Sequence, residues 1–325
     1  MASYHQNNSA VSAGVQQDDL TIPLIDFSSF LSGDPKTKQA TASAILHAFR
    51  TSGFLYLSNA GITPSTVQNI FAHSARFFDR PEPQKEALSW DTPESNRGYV
   101  TFGREKVTQS ADPEEILRLR AANPDYKETM EIGREGVEGL PNKWPDCFDA
   151  EGRDFTSVMR AFHDTCKELH MQVMRAIALG MGYEETFFDE YTDVGDNTLR
   201  LLHYPPVLKS DDIGGLEVKS PQNTWVRAVP IKNTIVVNAG DLLARWSNDT
   251  IKSTNHRVVQ PPAASGSSTE GSGLYPTRYS VAYFCNPNFD KTIEALPGTY
   301  GNVSEKKYEP IKSGDYLTMR LAATY

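Results

Sequence analysis

The sequence predicts a mainly β fold with additional α-helices, in which a helical N-terminal domain precedes a jelly-roll core. Two observations support this prediction. As far as Gly182, the longer apolar patterns recur at steps of three and four residues, which is typical of amphipathic helices. After Asn197, short apolar runs alternate with turn residues at close spacing, which is typical of a β-sandwich or barrel.

The first elements of the chain are short. Residues 1–20 are polar and predict a disordered arm. The apolar run IPLIDFSSF (Ile22–Phe30) contains Pro23, which lacks an N–H, and therefore predicts an edge strand. The pattern of Gln39–Gly53 predicts a helix that stops at its glycine. The aromatic run FLYLSNAG (Phe54–Gly61) predicts a short buried strand.

Two further helices complete the N-terminal domain. Thr63–Pro81 is amphipathic, begins with Ser and Thr residues and stops at a proline. Pro93–Glu135 is rich in loops. Phe155–Gly182 has apolar residues at helical spacing throughout and predicts the longest helix of the chain.

The second half consists of strand-like runs, namely LRLLHYPP, GLEVKSP, TWVRAVP, NTIVVNAGD, NHRVVQPP and RYSVAYFCNP. Between the last two, Pro261–Gly273 is of low complexity and predicts a flexible surface loop. We therefore expect an α-rich domain over residues 21–196, the jelly-roll core over 197–290 and a C-terminal tail over 291–325.

Composition restricts the kind of partner. The chain has 325 residues and a net charge of −9, which argues against nucleic acid or an anionic membrane as the main partner and carries no information about small-molecule substrates. Its three cysteines form no Cys-x-x-Cys pair, which fits a reducing compartment. The first residues contain no apolar leader, and no apolar run is long enough to span a membrane. The predicted location is the cytoplasm.

Three residues of the β-rich half are candidates for chemistry. His256 lies in STNHRVV, although a lone histidine on a strand is more often packed or exposed than a metal ligand. Arg278 and Ser280 are two residues apart in RYS, so strand alternation places both side chains on one face. An arginine beside a hydroxyl suits a carboxylate ligand. The alternative for Arg278 is an ordinary surface cation.

These motifs carry a resemblance to a known family. Nine motifs follow one another over Ile22–Asp290, namely IPLIDF, GFLYLSNAGI, RGYVTFGREK, ETMEIGRE, NTLRLLHYPP, GGLEVKSP, NTIVVNAGDLLARWSND, KSTNHRVV and RYSVAYFCNPN. In this order and spacing they resemble the isopenicillin N synthase-like family of Fe(II)- and mostly 2-oxoglutarate-dependent dioxygenases. The resemblance implies a double-stranded β-helix (jelly-roll) core, Fe(II) and 2-oxoglutarate as cofactors, and oxidation of a small organic metabolite.

The resemblance also implies roles for particular residues. His256 takes the place of the distal iron ligand. Arg278 and Ser280 take the places that hold the far carboxylate of 2-oxoglutarate, and Tyr204 is a further contact to that co-substrate. In this family two histidines and one carboxylate bind the iron and leave three positions open for the co-substrate and oxygen.

The chain departs from the family where the other two iron ligands belong. The family carries a His-x-Asp pair on the strand after LLHYPP, but none of the seven histidines here is followed two residues later by Asp or Glu. His203 is adjacent to Tyr204, so its side chain is expected on the opposite face. Asp211 and Asp212 are expected in a turn, with iron binding as the alternative. The comparison with the family therefore predicts that a strand and its loops are absent after Val207.

Two functional hypotheses follow. The first is an oxygenase of small-molecule metabolism, whose present chain is inactive because its iron site is incomplete. The second is a relative, or a truncated gene product, that binds a ligand or partner without turnover. The absent strand predicts in addition that apolar residues such as Leu201, Val236 and Val258 are poorly covered.

Overall fold

The computed structural model describes residues 11–92, 95–103, 127–208, 215–259, 274–275 and 277–322. Its helices are α1 (Ser28–Leu31), α2 (Pro35–Thr51), α3 (Pro64–Phe78), α4 (Glu82–Glu86), α5 (Ala150–Met181), α6 (Asp189–Thr192), α7 (Asp241–Trp246) and α8 (Ser313–Ala322). The predicted loop at Pro261–Gly273, and both Asp211 and Asp212, lie outside the described residues. Within the described part, no helix is long and apolar enough to cross a membrane.

The strands of the described residues run in chain order from β1 to β15. They are β1 (Val11–Gln17), β2 (Leu20–Asp26), β3 (Phe54–Ser58), β4 (Gly98–Val100), β5 (Glu128–Gly133), β6 (Thr198–Tyr204), β7 (Val207–Leu208), β8 (Gly215–Lys219), β9 (Trp225–Arg227), β10 (Thr234–Asn238), β11 (His256–Val259), β12 (Leu274–Tyr275), β13 (Arg278–Phe284), β14 (Thr292–Ile293) and β15 (Ile311–Lys312).

The first sheet corrects two predictions. Its order is β1-β2-β3-β10, so residues 11–17 form a strand and not part of a disordered arm. Residues 1–10 are outside the described part. Strand β2 is not an edge strand, because it pairs with β1 on one side and β3 on the other. A register shift between Ala13 and Val15 lies beside Pro23, and such an irregularity accommodates the missing N–H of proline.

The three long helices confirm the periodic patterns. Asp34 caps the N-terminus of α2, where its side chain accepts hydrogen bonds from two backbone N–H groups of the first turn, and Gly182 caps the C-terminus of α5 with a φ of 84°. The two helices pack closely at Gly180, where a Cβ atom would lie 2.8 Å from the carbonyl oxygen of Ala42. This pair of helices covers one face of the first sheet and forms the largest apolar core.

The second large sheet has the order β13-β6-β5-β4. One of its faces packs on α3 and α5, and Leu199, Leu201 and Met130 are fully buried there. The prediction that Leu201 is poorly covered is therefore wrong, because Leu201 faces the helices and not the interior of the jelly roll. Strand alternation places Arg200, Leu202 and Tyr204 on the opposite face.

Several described strands lie at the edge of a sheet and pair on one side only. Among these edge strands are β10, β11 and β13, which pair with β3, β8 and β6 respectively. Val258 on β11 and Phe284 on β13 are both 48% exposed, and Val236 on β10 is half-buried. The described part of the jelly roll thus has backbone edges without a covering strand, and Val258 is exposed as predicted, whereas Val236 packs against a buried apolar cluster.

The boundary predicted at residues 196 and 197 does not separate two sheets. Strand β10 pairs with β3, and β6 pairs with β5, so each large sheet combines strands from both sides of that boundary. The helical domain and the jelly roll therefore share a continuous β framework, and the candidate site lies on strands held by both parts of the chain.

Candidate active site

Arg278, Ser280 and Tyr204 come together on one face of the second sheet. In the antiparallel pair of β13 and β6, Arg278 lies opposite Tyr204 and Ser280 lies opposite Leu202. The guanidinium carbon of Arg278 is 4.9 Å from the centre of the Tyr204 ring, which is cation–π geometry. The Nη1 atom of Arg278 is buried and has no hydrogen-bond partner among the described residues. This arrangement offers a charged donor to an incoming carboxylate.

The same face carries a buried ion pair that the sequence analysis missed. Arg200 lies opposite Glu131 in the β5–β6 pair, with its Nε 2.5 Å from Glu131 Oε1. Glu131 is fully buried, and the hydroxyl of Thr129 donates to it at 3.2 Å. The guanidinium of Arg200 also lies over the ring of Phe284, 5.0 Å from its centre. The alternation in LRLLHY, which places Arg200 on the face of Tyr204, was the available signal.

A cavity of about 140 Å³ lies at the far end of this face. It is lined by Asn96, Thr198, Phe289 and Leu317 among others. The amide of Asn96 donates to the Thr198 hydroxyl at 3.0 Å, while its Oδ1 is buried without a partner among the described residues. From Tyr204 to Thr198 the strand advances six residues, or about 20 Å at 3.3 Å per residue. The face therefore connects the Arg278 end to a small polar cavity.

His203 lies on the opposite face, as the alternation predicts. Its Nδ1 is 2.6 Å from Oε1 of Glu128, and its ring stacks on Tyr279 with 4.9 Å between centres. Lys85 Nζ lies 2.8 Å from Glu128 Oε2, and the hydroxyl of Tyr99 donates to the same oxygen. This network lies behind the face that carries Arg278, and it holds the three strands β4, β5 and β6 to helix α4.

The electrostatics of Glu128 follow from these contacts. Burial by itself would raise the pKa of Glu128. Hydrogen bonds from His203, Lys85 and Tyr99 outweigh burial and hold the pKa of this carboxyl below its ordinary value of 4.5. Glu128 is therefore ionised at neutral pH, although only 1% of the residue is exposed.

His256 belongs to no cluster of three or more possible metal ligands among the described residues. It is exposed on β11, its Nδ1 lies 3.1 Å from the carbonyl oxygen of Thr254, and its ring is 5.4 Å from that of Phe54. In the part of the chain that the structure describes, no group of three or more His, Cys, Asp or Glu residues could hold a metal ion. These residues do not fit a site of two histidines and one carboxylate.

Two family models match the chain. Residues 22–147 match the N-terminal domain described as "non-haem dioxygenase in morphine synthesis". Residues 198–287 match the 2OG-Fe(II) oxygenase superfamily, and this match contains Tyr204, His256, Arg278 and Ser280.

Individual proteins are similar over nearly the whole chain. The 2-oxoglutarate-Fe(II) type oxidoreductase ppzD of Metarhizium rileyi is 31% identical, over 93% of this chain and 90% of the relative. A full-length Neurospora crassa protein, crystallised in complex with α-KG and thymine, is 53% identical, with a TM-score of 0.85 over 97% of this chain and 100% of that one. The same Neurospora crassa protein has a solved complex with α-KG and 5-formyluracil, matched at 48% identity with a TM-score of 0.83 over 96% of this chain and 99% of that one.

Proposed function

Because the chain belongs to the 2OG-Fe(II) oxygenase superfamily, whose enzymes oxidise small molecules with Fe(II) and 2-oxoglutarate, we propose three specific properties for it. It binds 2-oxoglutarate through Arg278, Ser280 and Tyr204. It takes a thymine-like pyrimidine base on the same face. It does not turn these two molecules over in its present form, because the His-x-Asp pair is absent from its sequence.

The substrate class is supported by the similarity to the Neurospora crassa protein. That protein has been crystallised with thymine and with 5-formyluracil. The two ligands share the pyrimidinedione ring and differ in the oxidation level of the carbon attached to C5, which is a methyl group in one and an aldehyde in the other. Oxidation of a ring-bound methyl group is within the chemistry of the family. At 53% identity, we expect this chain to recognise the same kind of ring.

The strand face is long enough for 2-oxoglutarate and a pyrimidine ring to bind one after the other. The distance of about 20 Å along β6 from Tyr204 to Thr198 leaves room for 2-oxoglutarate followed by one small ring. At the Arg278 end, the guanidinium fork and the Ser280 hydroxyl donate to a carboxylate. At the other end, Oδ1 of Asn96 lacks a partner among the described residues and can accept from a ring N–H, while Phe289 offers an aromatic surface.

The observation that carries this proposal is the buried, unpartnered Nη1 of Arg278 beside Tyr204 in the described part of the chain. A carboxylate of 2-oxoglutarate supplies the missing acceptor. Since the described residues do not fit an iron site, the role of this chain's residues ends at binding and orienting the two molecules and at excluding water from the strand face. No oxidation step is assigned to it.

The experiment is calorimetric titration of the protein with 2-oxoglutarate, followed by thymine. We expect saturable binding of 2-oxoglutarate, binding of thymine that Asn96→Ala weakens at least tenfold, and no binding of cytosine, which lacks the imide N–H. The matched control is Asn302→Ala, which removes an exposed asparagine from the C-terminal segment. Absence of 2-oxoglutarate binding would overturn the first part, and equal affinity for thymine and cytosine would overturn the second.

A second candidate function is a non-catalytic relative that binds a ligand or partner through the open strand face. Two observations on the described residues favour it, namely that no group of three or more possible metal ligands includes His256 and that β10, β11 and β13 pair on one side only. Sequencing the transcript across the junction of Lys209 and Asp211 separates the two hypotheses. A longer message with a His-x-Asp strand supports the oxygenase, whereas an unchanged message supports the non-catalytic relative.

Charge and cysteine content support the remaining parts of the proposal. A net charge of −9 favours a small-molecule ligand over nucleic acid. Three cysteines without a disulfide favour a reducing location such as the cytoplasm.

A further inference from the structure

A larger cavity, of about 470 Å³, lies away from the Arg278 face. It is situated where helix α7 and the loop after it meet the C-terminal segment. Helix α7 and the loop after it contribute Asp241, Arg245 and Lys252 to the cavity lining, and the C-terminal segment contributes Tyr308 and Tyr316. Neither Arg278 nor any other residue of the proposed 2-oxoglutarate site lines it.

Arg245 is held between two aromatic rings of this cavity. Its guanidinium carbon is 4.8 Å from the centre of the Tyr308 ring and 5.9 Å from that of Tyr316. One Nη donates to the carbonyl oxygen of Glu309 at 2.5 Å. Its Nε is buried and has no hydrogen-bond partner among the described residues. The rings thus fix the plane of the guanidinium and leave a donor at its edge unused.

The acidic residues of the cavity already have cationic partners. Asp241 Oδ2 lies 3.1 Å from Nε of Arg320. Asp249 accepts from the Tyr308 hydroxyl and lies 2.9 Å from Nζ of Lys307. These contacts leave the positive charge of Arg245 without a carboxylate partner in the described part of the chain.

Lys252 adds a second cation to the cavity, and the hydroxyl of Tyr316 bonds to Asp241. Lys252 lines the cavity and forms no ion pair with any described residue. Burial, together with the nearby Asp241 carboxylate, raises the pKa of Tyr316 to about 12, so its hydroxyl keeps its proton at neutral pH. Within the described residues, the cavity therefore combines two cations that have no carboxylate partner with two tyrosines whose hydroxyls already bond to Asp249 and Asp241.

We propose that this cavity is a binding site for a compact oxyanion of the phosphate type, held by Arg245 and Lys252. The anion supplies the acceptor that Nε of Arg245 lacks among the described residues. Both cations belong to α7 and its following loop, and the rings of Tyr308 and Tyr316, from the C-terminal segment, hold the guanidinium of Arg245 in place.

The test uses inorganic phosphate as the probe and the full chain as the protein. Calorimetry at constant ionic strength, with chloride as the balancing anion, measures affinity. Spectra of arginine Nε–H groups in ¹⁵N-labelled protein locate the contact. We expect saturable binding, a shift of the Arg245 Nε–H signal, and a dissociation constant at least tenfold higher in Arg245→Gln. The matched control is Arg50→Gln, which removes an exposed arginine at the end of α2.

Two further variants keep the result decisive. Lys252→Gln, at an exposed position, weakens phosphate binding even if Arg245→Gln does not fold. Arg278→Gln leaves phosphate binding unchanged while it removes 2-oxoglutarate binding, so the two sites fail or succeed independently. The proposal is overturned if phosphate binds without saturation, or if Arg245→Gln and Lys252→Gln both keep wild-type affinity.

Discussion

Arg278 lies opposite Tyr204 across the β13–β6 pair, with its guanidinium carbon 4.9 Å from the centre of the tyrosine ring. Removing the donors of a cation from water without giving them an acceptor costs free energy. The buried Nη1 of Arg278 has no acceptor among the described residues. Binding of a carboxylate supplies one, and this contact is the basis of the first prediction.

Arg278→Ala abolishes 2-oxoglutarate binding. Loss of a charge-assisted, two-point contact to a buried carboxylate costs about 2–5 kcal/mol, which corresponds to roughly thirtyfold to several thousandfold in affinity. Calorimetry with 2-oxoglutarate measures the change, and Arg50→Ala is the control for loss of an exposed arginine. Unchanged affinity in Arg278→Ala would remove this residue from the site.

The protein as sequenced binds Fe(II) weakly or not at all. His256 is the only residue of the expected ligand set that the chain retains, and Fe(II) is among the weaker-binding first-row metals. Anaerobic titration with Fe(II), and with Mn(II) as a stable substitute, tests this prediction, and His256→Ala is the matched variant. A tight one-to-one isotherm would show that another ligand exists, with Asp211 and Asp212 the first to be mutated.

Glu128→Gln lowers the free energy of unfolding by about 1.5–3 kcal/mol at neutral pH, because the buried Lys85 ammonium loses its buried carboxylate partner and keeps only the more exposed carboxylate of Glu82. The pKa of Glu128 is lowered in the folded state, so the charged form is stabilised by folding. This contribution is present above the unfolded pKa of about 4.5. It is lost as pH falls through the lower, folded pKa.

Urea unfolding of wild type and Glu128→Gln at several pH values between about 7 and 3 measures this dependence. The difference in unfolding free energy is expected to shrink as the pH falls below about 4.5. Glu138→Gln, at an exposed position, is the control. A difference that stays constant over this range would contradict the assignment of the charge to Glu128.

The fold could be predicted from sequence where local patterns decide it. Helices α2, α3 and α5 follow from three- and four-residue spacing, and β13 follows from an aromatic and β-branched run. Strand β1, whose sequence is VSAGVQQ, contains few apolar residues, and it becomes a strand because β2 pairs with it. Such pairing is not local, so the pattern of residues 11–17 alone predicts no strand.

The candidate site, like the fold, could be predicted from sequence only where a local pattern decides the position of a side chain. Alternation with a period of two places Arg278 and Ser280 on the same face of β13, and His203 and Tyr204 on opposite faces of β6, without knowledge of any neighbouring strand. The contact of Arg200 with Glu131 depends on the register between β5 and β6, which the sequence does not specify locally.

The last prediction concerns the absent strand. Insertion of a family-like His-x-Asp strand between Ser210 and Asp211 raises the stability of the protein and restores iron-dependent conversion of 2-oxoglutarate to succinate. The stability gain is expected because Val258 and Phe284 are each 48% exposed, and full burial of such side chains contributes roughly 1.5–3 kcal/mol each. Domains have only about 5–15 kcal/mol of net stability, so the gain is measurable by thermal melting.

A matched insert, in which the new His and Asp are both replaced by Ala, separates the two effects. It is expected to melt as high as the ligand-bearing insert, because the inserted strand covers β10, β11 or β13 in both proteins. It is expected to release no succinate, because the two ligands that complete the iron site with His256 remain absent. If the uninserted chain melts as cooperatively and as high as both inserts, the open edges are tolerated and the missing-strand hypothesis loses its main support. If the ligand-bearing insert is stable but makes no succinate, the non-catalytic function is favoured, since packing and ligands have then been supplied without turnover.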